Sequence, residues 1–179
     1  DLSEAIVSKC ELAGADLTGA NLHHATLHEC VMRSAKLDAA KMPLARVVKT
    51  NLSVATFRDA DAFSAMLHEV DLSMANLHAG NFERAVFTDS TFAGAKLGGA
   101  KIKNASFTNA DLREAELRGV RFEHVMLFGA KLAGHDFSGL HMELTQFPSC
   151  DLQGADFRGA HLVQCNFKSA LLEGSEEHT

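Results

Sequence analysis

The sequence predicts an all-β protein built from stacked square coils. Every residue whose number ends in 2 or 7, from Leu2 to Leu172, is large and apolar except Ala62. A second column, at numbers ending in 0 or 5, is small and rich in alanine. A period of five matches neither the 3.6 residues of a helical turn nor the 2.0 of a strand. A chain that points inward on this period must turn a corner in each repeat, so four corners close a coil of about twenty residues.

The positions of glycine and proline agree with this geometry. All glycines except Gly80 and Gly98 stand two places after the large column, at a corner where unusual φ and ψ values are needed. Only Pro43 and Pro148 occur, so the backbone N–H groups needed for stacking are preserved. We therefore expect the coils to stack at the inter-strand spacing of about 4.8 Å.

The residue just before the large column is often Asp or Asn. Examples are the triplets Ala15-Asp16-Leu17, Ala20-Asn21-Leu22 and Ala155-Asp156-Phe157. In these repeats the chain resembles the pentapeptide-repeat proteins over essentially its whole length. The resemblance implies a right-handed quadrilateral β-helix of about nine coils, with the large residue and the small one two places before it packed inside.

The chain is expected to form one elongated domain. No linker, low-complexity segment or membrane-crossing run interrupts the repeats, so we place a single β-helix at residues 1–174 and a disordered tail at residues 175–179. A terminal coil without a neighbour or a cap is unstable. We therefore expect either that the chain is a fragment of a longer protein or that an end stacks on another copy.

The cysteines occupy the small inward column, at Cys10, Cys30, Cys150 and Cys165. We interpret them as buried free thiols that replace alanine, because free cysteine is commonly buried. This interpretation favours a reducing, cytoplasmic compartment. No CxxC pair or His/Cys spacing typical of a metal site occurs, so no cofactor or metal is expected.

Folding the sequence at twenty residues assigns outward positions to four walls. Wall 2 is centred on Val7 and its equivalents at intervals of twenty. One of its columns alternates in charge and predicts salt bridges between coils, at Lys9, Glu29, Lys49 and Glu69. The same wall turns a set of apolar residues outward, a candidate interaction surface: Ile6, Val48, Met66, Val86, Met126, Phe128 and Pro148. This surface is either a contact patch or a region covered by other parts of a longer protein.

Wall 4, centred on Leu17 and its equivalents, carries a candidate acidic ladder: Glu116, Asp136, Asp156 and Glu176. Like charges directly opposite one another are destabilising. Arg118 and Arg158 lie two residues along and would relieve them, so solvated acids tied to these arginines or to backbone corners are the simpler interpretation. On wall 1, centred on Leu2 and its equivalents, His141 and His161 are expected to stack about 4.8 Å apart.

Two places depart from the repeat. Ala62 replaces a large core residue and Phe63 follows it, so either Phe63 turns inward or a cavity remains. His135 and Leu140 occupy consecutive positions of the small column. We expect the coil to widen or bulge there. His135 has no Ser, Cys or paired carboxylate at a supporting spacing, so a local distortion is favoured over catalysis.

The sequence favours a non-enzymatic function. It contains no nucleophile–base pair, phosphate-binding glycine loop or metal cluster. We expect a rigid scaffold and protein-interaction domain of a larger protein. Its partners would be other proteins, or a second copy bound through the coil ends or the apolar residues of wall 2. Neither a membrane nor nucleic acid is expected as a partner, since Tyr and Trp are absent and most Phe residues belong to the core.

The family resemblance supplies an alternative. Some pentapeptide-repeat proteins mimic duplex DNA and bind DNA gyrase or topoisomerase IV, which protects these enzymes from quinolones. A DNA mimic should present acids along its whole length. The net charge of −6 is instead uneven, with basic bands at residues 30–58 and 90–110. The uneven charge favours the scaffold over the DNA mimic.

Overall fold

The computed structural model describes residues 1–176 as a solenoid of short parallel strands. The strands are β1 (Ile6–Ser8), β2 (Thr26–His28), β3 (Arg46–Val48), β4 (Met66–His68), β5 (Val86–Thr88), β6 (Ser106–Thr108), β7 (Phe122–Glu123), β8 (His141–Glu143) and β9 (His161–Val163). Strands β1 to β6 form one parallel sheet on wall 2, and β7 to β9 form a second on wall 1. The predicted all-β solenoid is confirmed.

The register between coils is twenty residues throughout the ladder. Val7 pairs with Leu27, Phe87 with Phe107 and Met142 with Leu162. The large and small columns therefore stack on themselves and form one apolar core, which runs from Leu22 to Phe157. Parallel phenylalanine rings stack inside it, for example Phe87 on Phe107 with centroids 4.9 Å apart.

Each corner is made by a residue in the left-handed region of backbone conformation. These residues have numbers ending in 4 or 9, and their φ values lie between 49° and 77°. Glycine adopts this conformation without steric cost, whereas other residues are strained there. Even the β-branched Val54 is held at a φ of 62°. The hydrogen bonds on both sides of each corner therefore hold many non-glycine residues in a backbone conformation that is unfavourable for them in isolation.

Most corners are closed by a backbone hydrogen bond from the small residue to the large residue three places earlier, as from Ala15 N to Leu12 O (3.0 Å). Eight corners within residues 1–176 lack this bond, and each follows one of the strands β1–β5 and β7–β9. We call them open corners. The small residues at their ends are Cys10, Cys30, Thr50, Val70, Ser90, Val125, Thr145 and Cys165. Open corners therefore occur where alanine is replaced.

At many open corners, a hydroxyl or thiol from the next coil bonds the backbone groups that the corner leaves unpaired. Thr50 Oγ1 accepts from Cys30 N (3.3 Å) and donates to Leu27 O (3.5 Å). Thr145 Oγ1 donates across the coils to Phe122 O (2.8 Å). Buried carbonyl groups left without a partner would cost about 1–3 kcal/mol each. These side chains therefore stabilise the longer strands of walls 1 and 2.

The cysteines are free, as predicted. Cys30 and Cys150 are buried, and Cys10 and Cys165 are partly buried. The Cys150 thiol donates to Leu127 O, and burial raises its pKa to about 11. These thiols do more than replace alanine, because their sulfur atoms lie against backbone carbonyl oxygens of neighbouring coils.

On wall 4 the ladder is fully broken between two coils, at a place that we call the seam. No backbone hydrogen bond joins residues 115–119 to residues 136–139 in the described part of the chain. On the opposite wall the same two coils are tightly joined, with Phe107 N donating to Met126 O at 2.7 Å. The gap therefore opens as a wedge on one side, between the coil of β6 and the coil of β7.

The cause of the seam lies in the small column. His135 and Leu140 are both buried there, and the His135 ring packs against Phe137 with centroids 4.6 Å apart. An imidazole and an isobutyl group need more room than the methyl group that usually fills this column. The predicted widening of the coil is confirmed.

The second departure from the repeat is at Ala62 and Phe63, where the structure decides whether Phe63 fills the core. Ala62 is buried, whereas Phe63 stays at the surface, half-buried beneath the guanidinium of Arg84. The Phe82 ring of the next coil leans over Gly80, where an added Cβ would lie 2.6 Å from Phe82 Cε2. Phe63 therefore does not turn inward to replace the missing core side chain.

The predicted boundary at residue 174 is too early. Glu176 N donates to Ala155 O (3.1 Å) and Glu176 O accepts from Phe157 N (3.0 Å), so residues 175 and 176 still belong to the ladder. Residues 177–179 lie outside the described residues.

Candidate functional site

The apolar residues of wall 2 fall into separate groups. Met126 and Phe128 are 52% and 49% exposed, and Pro148 occupies the position of Phe128 one coil further along. Met66 and Val86 form a second pair, adjacent in the ladder. Ser106 and Thr108 separate the two groups and bind each other through their hydroxyls (3.1 Å).

The remaining predicted members of this surface are isolated. Ile6 is 81% exposed, but its neighbour in the next coil is Thr26. Val48 is half-buried and adjoins His68. We call Met126, Phe128 and Pro148 the apolar cluster, since it is the largest of the groups.

The predicted salt bridges of wall 2 form in pairs. Lys9 lies 3.6 Å from Glu29, and Lys49 lies 4.0 Å from Glu69. All four side chains are largely exposed, so each pair contributes a few tenths of a kcal/mol at most.

The acidic ladder of wall 4 is not a continuous anionic column. Asp136 and Asp156 are direct neighbours, and so are Asp156 and Glu176. Arg158 joins the last two, at 2.6 Å from Asp156 and 3.5 Å from Glu176. Glu116 is separated from Asp136 by the seam and lies 4.0 Å from Lys96 instead. This arrangement agrees with the interpretation that cations and corners hold these acids.

The histidine pair of wall 1 stacks as predicted. The His141 and His161 rings lie 4.8 Å apart at an interplanar angle of 19°. Among the residues that the structure describes, no group of three or more His, Cys, Asp and Glu side chains is placed to hold a metal ion. The pair is therefore a surface contact between two coils.

The seam forms the mouth of a cleft of about 910 Å³ at the corner of walls 3 and 4, where wall 3 is centred on Leu12 and its equivalents. This volume lies within the range of about 300–1,000 Å³ that is usual for ligand sites. One rim carries Arg118 and Glu116, and the other carries Asp136 and Ser138. Leu117, His135 and Leu140 also line the cleft, so an apolar interior meets a charged rim.

His135 is the most unusual side chain in the cleft. It is only 7% exposed, and burial lowers its pKa to about 4, against the smaller opposing effect of Asp136. No hydrogen bond to its ring is present within residues 1–176. Asp136 is instead engaged by the backbone N–H of Ser138 (2.8 Å), and hydrogen bonds from Ser138 lower the pKa of this carboxyl.

The cleft brings together Ser138, His135 and Asp136, residue types that also occur in nucleophilic triads. No hydrogen bond links the Ser138 hydroxyl to the His135 ring in the described chain. A nucleophile needs such a contact with its base. The three side chains therefore do not form a triad in this conformation.

Comparison with protein-family models identifies the repeat from which the solenoid is built. A family model for pentapeptide repeats matches residues 1–33 and 71–109, and a second model for a pentapeptide repeat region matches residues 100–176. The chain belongs to the pentapeptide-repeat family. A search of the curated proteins found no match.

Several solved pentapeptide-repeat structures resemble this one. QnrB1, a plasmid-mediated fluoroquinolone resistance protein, is 16% identical, with a TM-score of 0.51 over 96% of this chain and 93% of that one. Rfr23 from the cyanobacterium Cyanothece 51142 is 18% identical, with a TM-score of 0.50 over 64% and 85% of the two chains. HetL from the cyanobacterium Nostoc sp. strain PCC 7120 is 25% identical, with a TM-score of 0.47 over 96% and 86%. The first two likenesses show the shared fold alone.

The pentapeptide repeat itself predicted most outward positions but not the cleft. His135 and Leu140 marked the coil that widens, yet Arg118 was interpreted as a partner of the acids rather than as part of a rim. The missed signal was that two oversized small-column residues follow each other directly, so their effects add on one side of the coil.

Within residues 1–176, no helix is long and apolar enough to cross a bilayer.

Proposed function

We propose that this domain is a non-enzymatic rigid rod that binds protein partners through the apolar cluster of wall 2. The observation that carries the proposal is the exposure of Met126 and Phe128 side by side on a hydrogen-bonded wall. Pentapeptide-repeat proteins are in general structural and interaction proteins rather than enzymes. An exposed group of large apolar side chains is typical of a contact surface.

The rod suits such a surface because its backbone is held on both sides. Met126 N donates to Ala105 O (3.0 Å), and Asn109 N donates to Phe128 O (2.8 Å). Side chains on a rigid wall lose little backbone entropy when a partner binds, and this lowers the cost of association. Phe and Met are also enriched at protein interfaces.

A double charge substitution tests this proposal. Met126→Glu with Phe128→Glu should weaken self-association of the isolated domain, or its binding to a partner, without unfolding the rod. Both side chains point away from the core, so their replacement removes apolar contact area and adds repulsion but leaves the core unchanged. Sedimentation would measure association, and circular dichroism would measure folding.

Ser106→Glu with Thr108→Glu is the matched control, because these positions lie one coil away on the same columns. The control adds the same charge but removes no large apolar group. If the Met126/Phe128 variant unfolds, Phe128 supports the core and the outward assignment is wrong. Unchanged association of that variant would place the contact at the coil ends instead.

The alternative, a DNA-mimicking inhibitor of gyrase or topoisomerase IV, needs a long negative surface. Cations from neighbouring coils interrupt the acids of this chain. Arg58 binds Asp38 at 2.6 Å, Lys103 binds Glu123 at 3.0 Å, and Lys131 lies 3.9 Å from Asp111. The fold likeness to QnrB1, at 16% identity, does not favour one function over the other.

We therefore expect that the domain does not protect gyrase from a quinolone. The paired cations reduce the negative potential that a duplex mimic requires. A supercoiling assay in the presence of the drug, titrated with the domain, would measure this. Protection at stoichiometric protein would contradict the scaffold proposal and favour the DNA mimic.

A further inference from the structure

The seam leaves six backbone groups of wall 4 without ladder partners. On one edge these are the N–H groups of Leu117 and Gly119 and the carbonyl of Ala115. On the other edge they are the N–H group of Asp136 and the carbonyls of Asp136 and Ser138. None of these groups takes part in a backbone hydrogen bond within residues 1–176. One coil earlier, the equivalent bond from Leu97 N to Glu116 O is present at 3.0 Å. Two facing strand edges are therefore open at the same place.

Two side chains beside these edges, His135 and Arg118, have no side-chain hydrogen-bond or ion-pair partner within residues 1–176. His135 is 7% exposed, lines the cleft and has no hydrogen bond from its ring to another residue within residues 1–176. Arg118 lies exposed on the rim, and no ion pair to it is present within residues 1–176. Thr56 Oγ1, and not a His135 nitrogen, is the fully enclosed unpaired side-chain atom within residues 1–176, so the His135 ring nitrogens reach the open cleft, where a polar ligand can hydrogen-bond to them.

We propose that the seam binds an extended peptide segment of a partner protein, which enters as an extra strand between the two coils. Addition of a strand to an exposed sheet edge is a common mode of peptide recognition. Here the added strand would be bound on both sides. The site is on wall 4, opposite the apolar cluster of wall 2, so this proposal does not rest on the proposed function of that cluster.

The register of the solenoid fixes the length of the segment. In a regular coil of wall 4, the large residue donates to the carbonyl nineteen places on, as Leu97 N does to Glu116 O. The residue before it in the next coil donates to the carbonyl twenty-one places back, as Glu116 N does to Ala95 O. Applying this pattern to a parallel guest strand satisfies all six open groups with five residues. The carbonyls of its first, second and fourth residues would accept from Asp136 N, Leu117 N and Gly119 N. The N–H groups of its second, third and fifth residues would donate to the carbonyls of Ala115, Asp136 and Ser138. The guest is therefore one pentapeptide long.

The rim charges specify the guest sequence. The second guest residue would point outward between Glu116 and Asp136, so a cation is favoured there. The third would point inward between Leu117 and Phe137, which favours an apolar residue. The fourth would lie beside Arg118, which favours an acid. The first would face Ala115 and His135 and must be small. The preferred segment is thus small, basic, apolar, acidic and then unrestricted.

The experiment uses the full chain and two capped peptides, acetyl-Ala-Lys-Leu-Asp-Gly-amide and the charge-swapped acetyl-Ala-Asp-Leu-Lys-Gly-amide. Hydrogen exchange should first show fast exchange at the amides of Leu117, Gly119 and Asp136, compared with the bonded amides of Leu97 and Phe137. In an NMR titration, the first peptide should shift the same three amides. The swapped peptide should bind roughly tenfold more weakly, because two favourable charge contacts become repulsive.

A closed variant, His135→Ala with Leu140→Ala, is the main control. It restores the alanine of the small column, so the two coils should pair, the Leu117 and Asp136 amides should become protected, and peptide binding should be lost. Arg118→Glu is a second control, which leaves the core intact and should remove the preference for the first peptide. Protected seam amides in the native chain would overturn the proposal. Equal binding by the closed variant, shifts confined to other walls, or no binding of either peptide at millimolar concentration would overturn it as well.

Discussion

Replacing Phe107 with alanine should lower the free energy of unfolding by about 3–5 kcal/mol, which is the usual cost of removing a buried aromatic side chain. Phe107 is 1% exposed and stacks on Phe87 at 4.9 Å. Phe92 packs against its edge with centroids 5.6 Å apart. Because each coil is held only by its neighbours, the cavity would weaken the coils on both sides. Urea denaturation followed by circular dichroism would measure the change.

Thr108→Ala is the matched control for this prediction. Thr108 is the next residue along the same strand, but it points outward and binds only the Ser106 hydroxyl (3.1 Å). Its replacement should change stability by about 0.5 kcal/mol or less. Similar denaturation midpoints for the two variants would contradict the inward assignment of the large column.

The second large effect concerns pH. The pKa of His135 falls from 6.5 to about 4 on folding, because burial disfavours the charged imidazolium. The folded chain therefore holds His135 neutral, whereas the unfolded chain binds a proton below pH 6.5. Stability should be full above pH 6.5 and should fall between pH 6.5 and pH 4, by about 3 kcal/mol in total. Denaturation at a series of pH values would measure this loss.

His135→Ala separates this effect from the other titrating groups. Glu114, Glu116 and Asp136 share the cleft with His135, together with the cations Arg113 and Arg118. These groups remain in the variant, so the part of the pH dependence that disappears belongs to His135. An identical loss of stability in both proteins between pH 6.5 and pH 4 would contradict the prediction.

Much of the fold follows from the frame of five residues. Its large column predicts Phe57 and Phe137 inside, and its outward positions predict Met126 and Phe128 at the surface, as the structure has them. This works because a buried residue and its register partner share one column, so a single assignment determines every coil. The Lys9–Glu29 contact and the His141–His161 stack follow from the same column rule.

The corners were less predictable. Cys30, Thr50 and Ser90 stand in the small column, and size alone groups them with alanine. Their thiol and hydroxyl groups instead donate to corner carbonyls of the previous coil that lack a backbone partner, at Val7, Leu27 and Leu67. The sequence signal for the open corners was the recurrence of Cys, Thr, Ser or Val in the small column at intervals of twenty residues. A pattern based on volume could not detect it, because the effect depends on hydrogen bonding.

The cleft also depends on more than the pattern. The oversized His135 and Leu140 predicted a disturbance, but not its direction. The imidazole could have compressed the core or pushed the coils apart. The tight bonding on wall 2, with Phe107 N and Met126 O 2.7 Å apart, leaves wall 4 as the side that opens. The side that opens is therefore determined by the backbone hydrogen bonds of the opposite wall, which cannot be predicted from the residues near His135.

The constant register has a consequence for how this molecule can change in length. Because ladder partners are twenty residues apart, inserting a single residue within a coil would move every later large residue by one place in the frame of five, from an inward to an outward position. Removing a whole coil from the sheet of β1 to β6 would leave every remaining side chain on its own wall. The length of the rod can therefore change only by whole coils, each of which adds or removes about 4.8 Å. Within the sheet of β1 to β6, any two surfaces are separated by a whole number of those steps.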